Sequence, residues 1–172
     1  MGFINRIAVL PFENNTTDKF APERARNSTI TQILSLGIAD VIDKGLVDSV
    51  LLEEAVEYGK PIDQVTLKRL GQRLNIQAFF MGTVNTSNIS RKGSVSYPEI
   101  SLTLRLIDAR AAMILWQASG HQDGDSTWAR LFGLPSRDAF YVSNNLIREL
   151  LSTIPTPAVI APPVETAQEK EK

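Results

Sequence analysis

The chain has 172 residues, 43% apolar and 22% charged, an ordinary globular composition and long enough to bury a core. Its formal net charge of -1 offers no general attraction to nucleic acid, so we expect no nucleic-acid partner. There is no cysteine, which excludes thiolate sites. The single histidine, His121, disfavours multi-histidine metal sites and serine–histidine triads. This inventory excludes most familiar hydrolytic chemistry, and we expect no cofactor.

The N-terminal part predicts a strand, a helix and a second strand. Residues 4–12 read INRIAVLPF and precede the loop ENNTTD, which is typical of a buried strand. Apolar residues then recur at helical spacing and predict a long helix that Gly45 closes. The predicted apolar face consists of Ile30, Ile33, Leu34, Ile38, Val41 and Ile42. The run at 46–51 predicts a second short strand.

The middle of the chain predicts one helix and three strands. Asp63 is a good N-cap for a helix in which three leucines recur along one side. The strands are predicted at 76–84, 95–107 and 112–120, and the tight connection 108–111 makes the last two a hairpin. Apolar and polar residues alternate in the middle strand, so one of its faces is buried and the other solvated.

A final helix is predicted from about 136 to 152. The order β-α-β-α-β-β-β-α indicates an α/β fold, a mixed sheet with helices packed on it, and we expect residues 1–154 to form this single domain. Residues 155–172 are Pro-rich and then charged, so we expect a disordered tail. No apolar run is long enough for a transmembrane helix. The first residues lack a signal-peptide layout, so we expect either a cytosolic protein or a mature chain without its leader.

An apolar cluster follows the last predicted strand, in the segment GDSTWARLFGLP at 124–135. Trp128, Leu131 and Phe132 lie three and one residues apart, so one helical turn places them on one side. Such a cluster either covers the end of the core or contacts a partner or the membrane interface, because Trp and Phe suit both surfaces. We favour the outward orientation because three helices already supply the core.

Two carboxylates precede this cluster, since Asp123 and Asp125 flank Gly124. Paired carboxylates suit acid–base work or a cation site, but a solvated turn is the simpler interpretation. Repeated around a ring, the same two residues would create a concentrated negative field. They are therefore candidates for an acidic pore lining.

Three segments resemble a family of bacterial envelope domains. They read IAVLPFENNT at 7–16, LGQRLNIQAFFMGTV at 70–84 and LTLRLIDARAAMILWQASG at 102–120. They are similar to the opening strand and loop, the helix–turn–strand unit and the terminal hairpin of that family. It includes the curli secretion channel lipoprotein, the N-terminal domain of TolB, the penicillin-binding-protein activator lipoproteins and the Pel polysaccharide export lipoproteins. In size and plan the chain is closest to the last two groups.

The resemblance implies a non-catalytic periplasmic protein, anchored to the inner face of the outer membrane through a lipidated cysteine that this sequence does not contain. It implies a homo-oligomeric ring that works with an outer-membrane export channel in the export of a Pel-like biofilm polysaccharide, with a cationic polymer as a further partner. Two alternatives stay open. One is a lipoprotein activator of a peptidoglycan synthase, and the other is an accessory of a curli-like protein secretion channel.

Overall fold

The computed structural model describes residues 4–93, 95–125 and 137–155. Within these ranges six strands form one mixed sheet with four helices packed on it, which confirms the predicted α/β class. The strands are β1 (Arg6–Val9), β2 (Glu13–Asn14), β3 (Asp40–Val41), β4 (Ala78–Lys92), β5 (Val95–Asp108) and β6 (Ile114–Asp123). The helices are α1 (Ala21–Ser35), α2 (Lys44–Glu53), α3 (Gln64–Leu74) and α4 (Ala139–Ser152).

The sheet has the order β3-β1-β4-β5-β6, and β2 pairs with a later part of β4 than β1 does. The first four strands run parallel, whereas β5 and β6 are antiparallel to their neighbours. One face packs against α1 and α4, and the other against α2 and α3. The α2–α3 layer covers the β1 side of its face and packs against Phe79 and Met81 of β4 and Ile107 of β5.

The region after α1 differs from the prediction. The helix ends at Ser35, because the chain turns at Gly37 with a φ of +63°, a conformation that favours glycine. The strand predicted at 46–51 is wrong, since this segment belongs to α2. Asp43 starts that helix by accepting a hydrogen bond from the Leu46 backbone nitrogen at 3.0 Å. Gly45 therefore lies in the first turn of a helix instead of closing one.

The start of α3 was predicted correctly. The Oδ1 of Asp63 accepts hydrogen bonds from the backbone nitrogens of Val65 and Thr66, both at 3.0 Å. The Thr66 hydroxyl also donates to this carboxylate, and these hydrogen bonds lower the pKa of Asp63. The helix ends where Asn75 adopts a left-handed conformation.

The β4–β5 hairpin is longer than predicted. Residues 86–92 pair with 95–101, after a register shift next to Asn85, although the sequence predicted a connection there. The polar composition of 85–92 hides the strand signal. Strand β6 pairs with β5 only as far as Glu99, opposite Asp123. Residues 89–92 and 95–98 therefore form a two-stranded extension, which we call the arm.

The predicted C-terminal tail begins at Pro155, and residues 156–172 lie outside the described residues. In the part of the chain that the structure describes, no helix combines the length and hydropathy needed to cross a bilayer.

Candidate functional site

The described helices leave one face of the sheet uncovered over the outer parts of β4, β5 and β6. In this region the side chains are almost all hydroxyls and amides, on the side opposite α1 and α4. The side chains that share this surface are Asn85, Ser101, Thr103, Gln117, Ser119 and His121. We call this surface the open face.

A chain of side-chain hydrogen bonds crosses the open face. Asn15 donates from Nδ2 to Asn85 Oδ1 at 3.4 Å, and Asn85 donates from Nδ2 to Thr103 Oγ1 at 3.1 Å. The hydroxyls of Thr103 and Ser119 lie 2.9 Å apart. These bonds restrict the rotamers of the four side chains. The open face thus presents an ordered row of donors and acceptors, about 14 Å across three strand spacings.

A second polar group borders the α2–α3 layer. Arg105 donates from Nη2 to Glu13 Oε1 at 3.1 Å, and the Thr83 hydroxyl donates to Glu13 Oε2 at 3.1 Å. The guanidinium balances the charge of Glu13, so this end of the open face carries no excess charge.

The predicted residue Asp123 lies at the opposite, acidic end. It is the last residue of β6, it is exposed, and it lies directly across from Glu99 of β5. The Nε2 of His121 lies 3.6 Å from Glu99 Oε1. Two carboxylates facing each other across neighbouring strands produce a negative potential here.

The predicted residue Asp125 has different surroundings. Its backbone nitrogen donates to Asp123 Oδ1 at 3.0 Å, so the two residues form the predicted turn. Its Oδ2 lies 3.7 Å from Lys92 Nζ, at the tip of the arm. Gly124 permits this geometry, because a Cβ at that position would come within 2.7 Å of the Pro98 ring. The two acidic residues are therefore adjacent, but Asp125 faces the arm.

The arrangement is suited to ligand binding through hydrogen bonds and charge. Among the described residues no group of three or more histidine, cysteine or acidic side chains is placed to hold a metal ion. The open face can exchange hydrogen bonds with a hydroxyl-rich ligand, and its acidic end attracts cations. Strand alternation predicted a solvated face on β5. Glu99 and Asp123 face each other because of the register between β5 and β6. No local sequence signal predicts that register.

The predicted partner-facing residues Trp128, Leu131 and Phe132 fall in 126–136, outside the described residues. Their orientation stays a prediction.

Comparison with known proteins gives matches among solved structures. No protein-family model matches the chain, and no curated protein matches it either. A variant PelC dodecamer from Paraburkholderia phytofirmans has a TM-score of 0.63 and 19% identity, covering 91% of this chain and 93% of that one. Lipoprotein GNA1162 from Neisseria meningitidis has a TM-score of 0.60 and 22% identity, covering 75% and 90%. The C-terminal domain of LpoB from Escherichia coli has a TM-score of 0.50 and 9% identity, covering 68% and 81%.

These similarities establish the fold: the chain has the fold of PelC, GNA1162 and LpoB. They confirm the part of the predicted resemblance that concerns the Pel export and synthase activator lipoproteins. The part that concerns the curli secretion channel lipoprotein and TolB has no support in these three structures.

Proposed function

We propose that this protein is a non-enzymatic accessory protein of the periplasm, held at the outer membrane, that assembles into a ring and assists the export of a Pel-like polysaccharide. The observation that carries the proposal is the similarity to PelC over nearly the full length of both chains. PelC itself was solved as a dodecamer. In this proposal the other partner is an outer-membrane export channel, and the anchor is a lipidated cysteine that the given sequence does not contain.

The open face supports a role in guiding a polysaccharide. Its row of amides and hydroxyls offers hydrogen bonds that a sugar chain can exchange as it moves. Asp123 adds negative charge at one end, with Asp125 next to it beside Lys92, and a ring repeats this arrangement in every subunit. A cationic polysaccharide is attracted to such a surface. We assign Asp123 and Asp125 to the lining of the path on this basis.

We further propose that Trp128, Leu131 and Phe132 contact the membrane interface or the export channel. A Trp and a Phe at helical spacing are suited to insertion into either surface.

A second candidate function is the activation of a peptidoglycan synthase. The similarity to the LpoB C-terminal domain favours it, although that similarity covers less of both chains. In this case the protein acts as a monomer, and the acidic residues have no role in a ring.

Deletion of the gene in the host, followed by complementation, tests the proposal. We expect the deletion to abolish extracellular polysaccharide, the wild-type gene to restore it, and Asp123→Asn/Asp125→Asn to restore it only in part. The double variant Glu57→Gln/Glu149→Gln removes the same charge at exposed positions elsewhere in the chain and is the matched control. Normal polysaccharide secretion together with weakened peptidoglycan cross-linking would contradict the proposal and favour the synthase activator.

A further inference from the structure

A groove of about 490 Å³ lies where the base of the arm meets the first turns of α1 and α4. Apolar side chains from all three elements line it. They include Ala21 of α1, Ile89 and Ile100 of the hairpin, and Phe140 and Val142 of α4.

Two large apolar side chains of this groove are strongly exposed to solvent. Ile89 is 67% exposed and Phe140 is 72% exposed. Single exposed apolar residues are common on protein surfaces, but two of them flanking one groove are typical of an interaction site. The aromatic ring is also the kind of anchor that dominates interface energetics.

The groove and the arm carry opposite charges. The charged side chains lining the groove are Asp18, Arg24 and Asp138, two acidic and one basic, for a net charge of -1, because the Glu99 side chain lies on the open face beside His121. The arm, ISRKGSVSYP at 89–98, contains Arg91 and Lys92 and no acidic residue, for a net charge of +2. Complementary charges of this kind fix the register of an interface and speed association.

The arm cannot fill the groove of its own chain. Its strands stay paired up to Lys92 and Val95, and at about 3.3 Å per residue its tip lies roughly 10 Å beyond the groove at its base. A two-stranded ribbon is also marginally stable in water without further packing. Among the described residues, Lys92 at the tip contacts Asp125 of its own chain, and Arg91 beside it is exposed to solvent.

We infer that the tip of the arm of one copy docks into the groove of a second copy. Arg91 then meets the acidic groove lining of the neighbour from one face of the arm, and Val95 and Tyr97, on the other face, meet its apolar rim. Because the arm and the groove are different surfaces, the contact between two copies is head to tail. Successive head-to-tail contacts produce a ring when the last copy docks onto the first. The inference rests on the proposed ring assembly and identifies the surfaces that build it.

Light scattering coupled to size exclusion tests this on the full chain. We expect Arg91→Glu and Phe140→Ser to reduce the molar mass to that of a monomer, with the melting temperature unchanged because both side chains are exposed. Arg91 is chosen because Lys92 already lies 3.7 Å from Asp125 of its own chain. The matched controls are Lys68→Glu and Leu52→Ser, exposed residues of α3 and α2, and they should keep the wild-type mass.

The outcomes separate the inference from the proposed function. If the wild type is oligomeric and both arm and groove variants keep its mass, the docking mode is wrong and the ring stands. The docking mode is also wrong if the controls dissociate as readily as the test variants. A wild type that is monomeric under all conditions contradicts the proposed function itself.

Discussion

The ion pair between Arg26 and Asp48 offers a quantitative test of how the first strand is held in place. The Arg26 side chain is 2% exposed. Its Nε and Nη2 donate to the Val9 carbonyl at 3.0 and 2.8 Å, and its Nη1 donates to Asp48 Oδ2 at 3.1 Å. One side chain of α1 thus connects the end of β1 to α2.

Asp48→Asn leaves this guanidinium without its counter-charge at nearly unchanged side-chain volume. Breaking a fully buried pair costs about 3–5 kcal/mol, but Asp48 is 26% exposed and water replaces part of the loss, so we expect about 2–3 kcal/mol. For Arg26→Met we expect about 3–5 kcal/mol, because the Val9 carbonyl loses both donors and Asp48 loses its partner.

Urea unfolding followed by circular dichroism measures these free energies, and Arg26→Met/Asp48→Asn closes the double-mutant cycle. We expect the double variant to lose less than the sum of the single losses, by about 1–3 kcal/mol. The exposed control Glu149→Gln should stay within about 0.5 kcal/mol of the wild type. An Asp48→Asn variant as stable as the control, or strictly additive losses, would refute the role assigned to the pair.

Three further variants test other parts of the structure. Gly82→Ala should lower the free energy of unfolding by about 1–3 kcal/mol in the same assay, because the new Cβ would overlap the buried Phe12 ring. A variant as stable as the wild type would mean that the ring moves aside freely. Because the pKa of Asp63 is lowered in the folded protein, its carboxylate stabilises the folded state at pH values above the unfolded pKa, near the ordinary 3.8. This stabilisation is lost as the pH falls through the folded pKa. Asp63→Asn should therefore flatten the pH dependence of the urea midpoint in acid, and identical profiles for the two proteins would contradict this. Trp128→Ala should leave the melting temperature within a few degrees while abolishing polysaccharide export, whereas a loss of several kcal/mol would show that Trp128 belongs to the core.

Local signals in the sequence were sufficient for part of the fold. The N-cap at Asp63 and the leucine spacing after it predicted α3, because both the cap and the apolar face lie within one short segment. The alternation in β5 likewise depends only on neighbouring residues, and it correctly predicted one buried and one solvated face.

The errors occurred where short segments carry ambiguous patterns. The apolar run at 46–51 fits a strand or a helix, and the choice depended on the turn at Gly37 and the cap at Asp43. The polar part of β4 has no alternation to reveal it, so the arm was missed. The position of Asp123 opposite Glu99 follows from the pairing of two strands, which is set by packing of the whole sheet.

The absolute molar mass of the wild-type chain in solution, measured by light scattering over a concentration series, tests the central claim most directly. We predict a single mass many times the 19.0 kDa of one chain, unchanged on dilution, as expected for a closed ring. A mass of 19.0 kDa at every concentration, also in the presence of lipid vesicles, would contradict the ring and with it the proposed role in polysaccharide export.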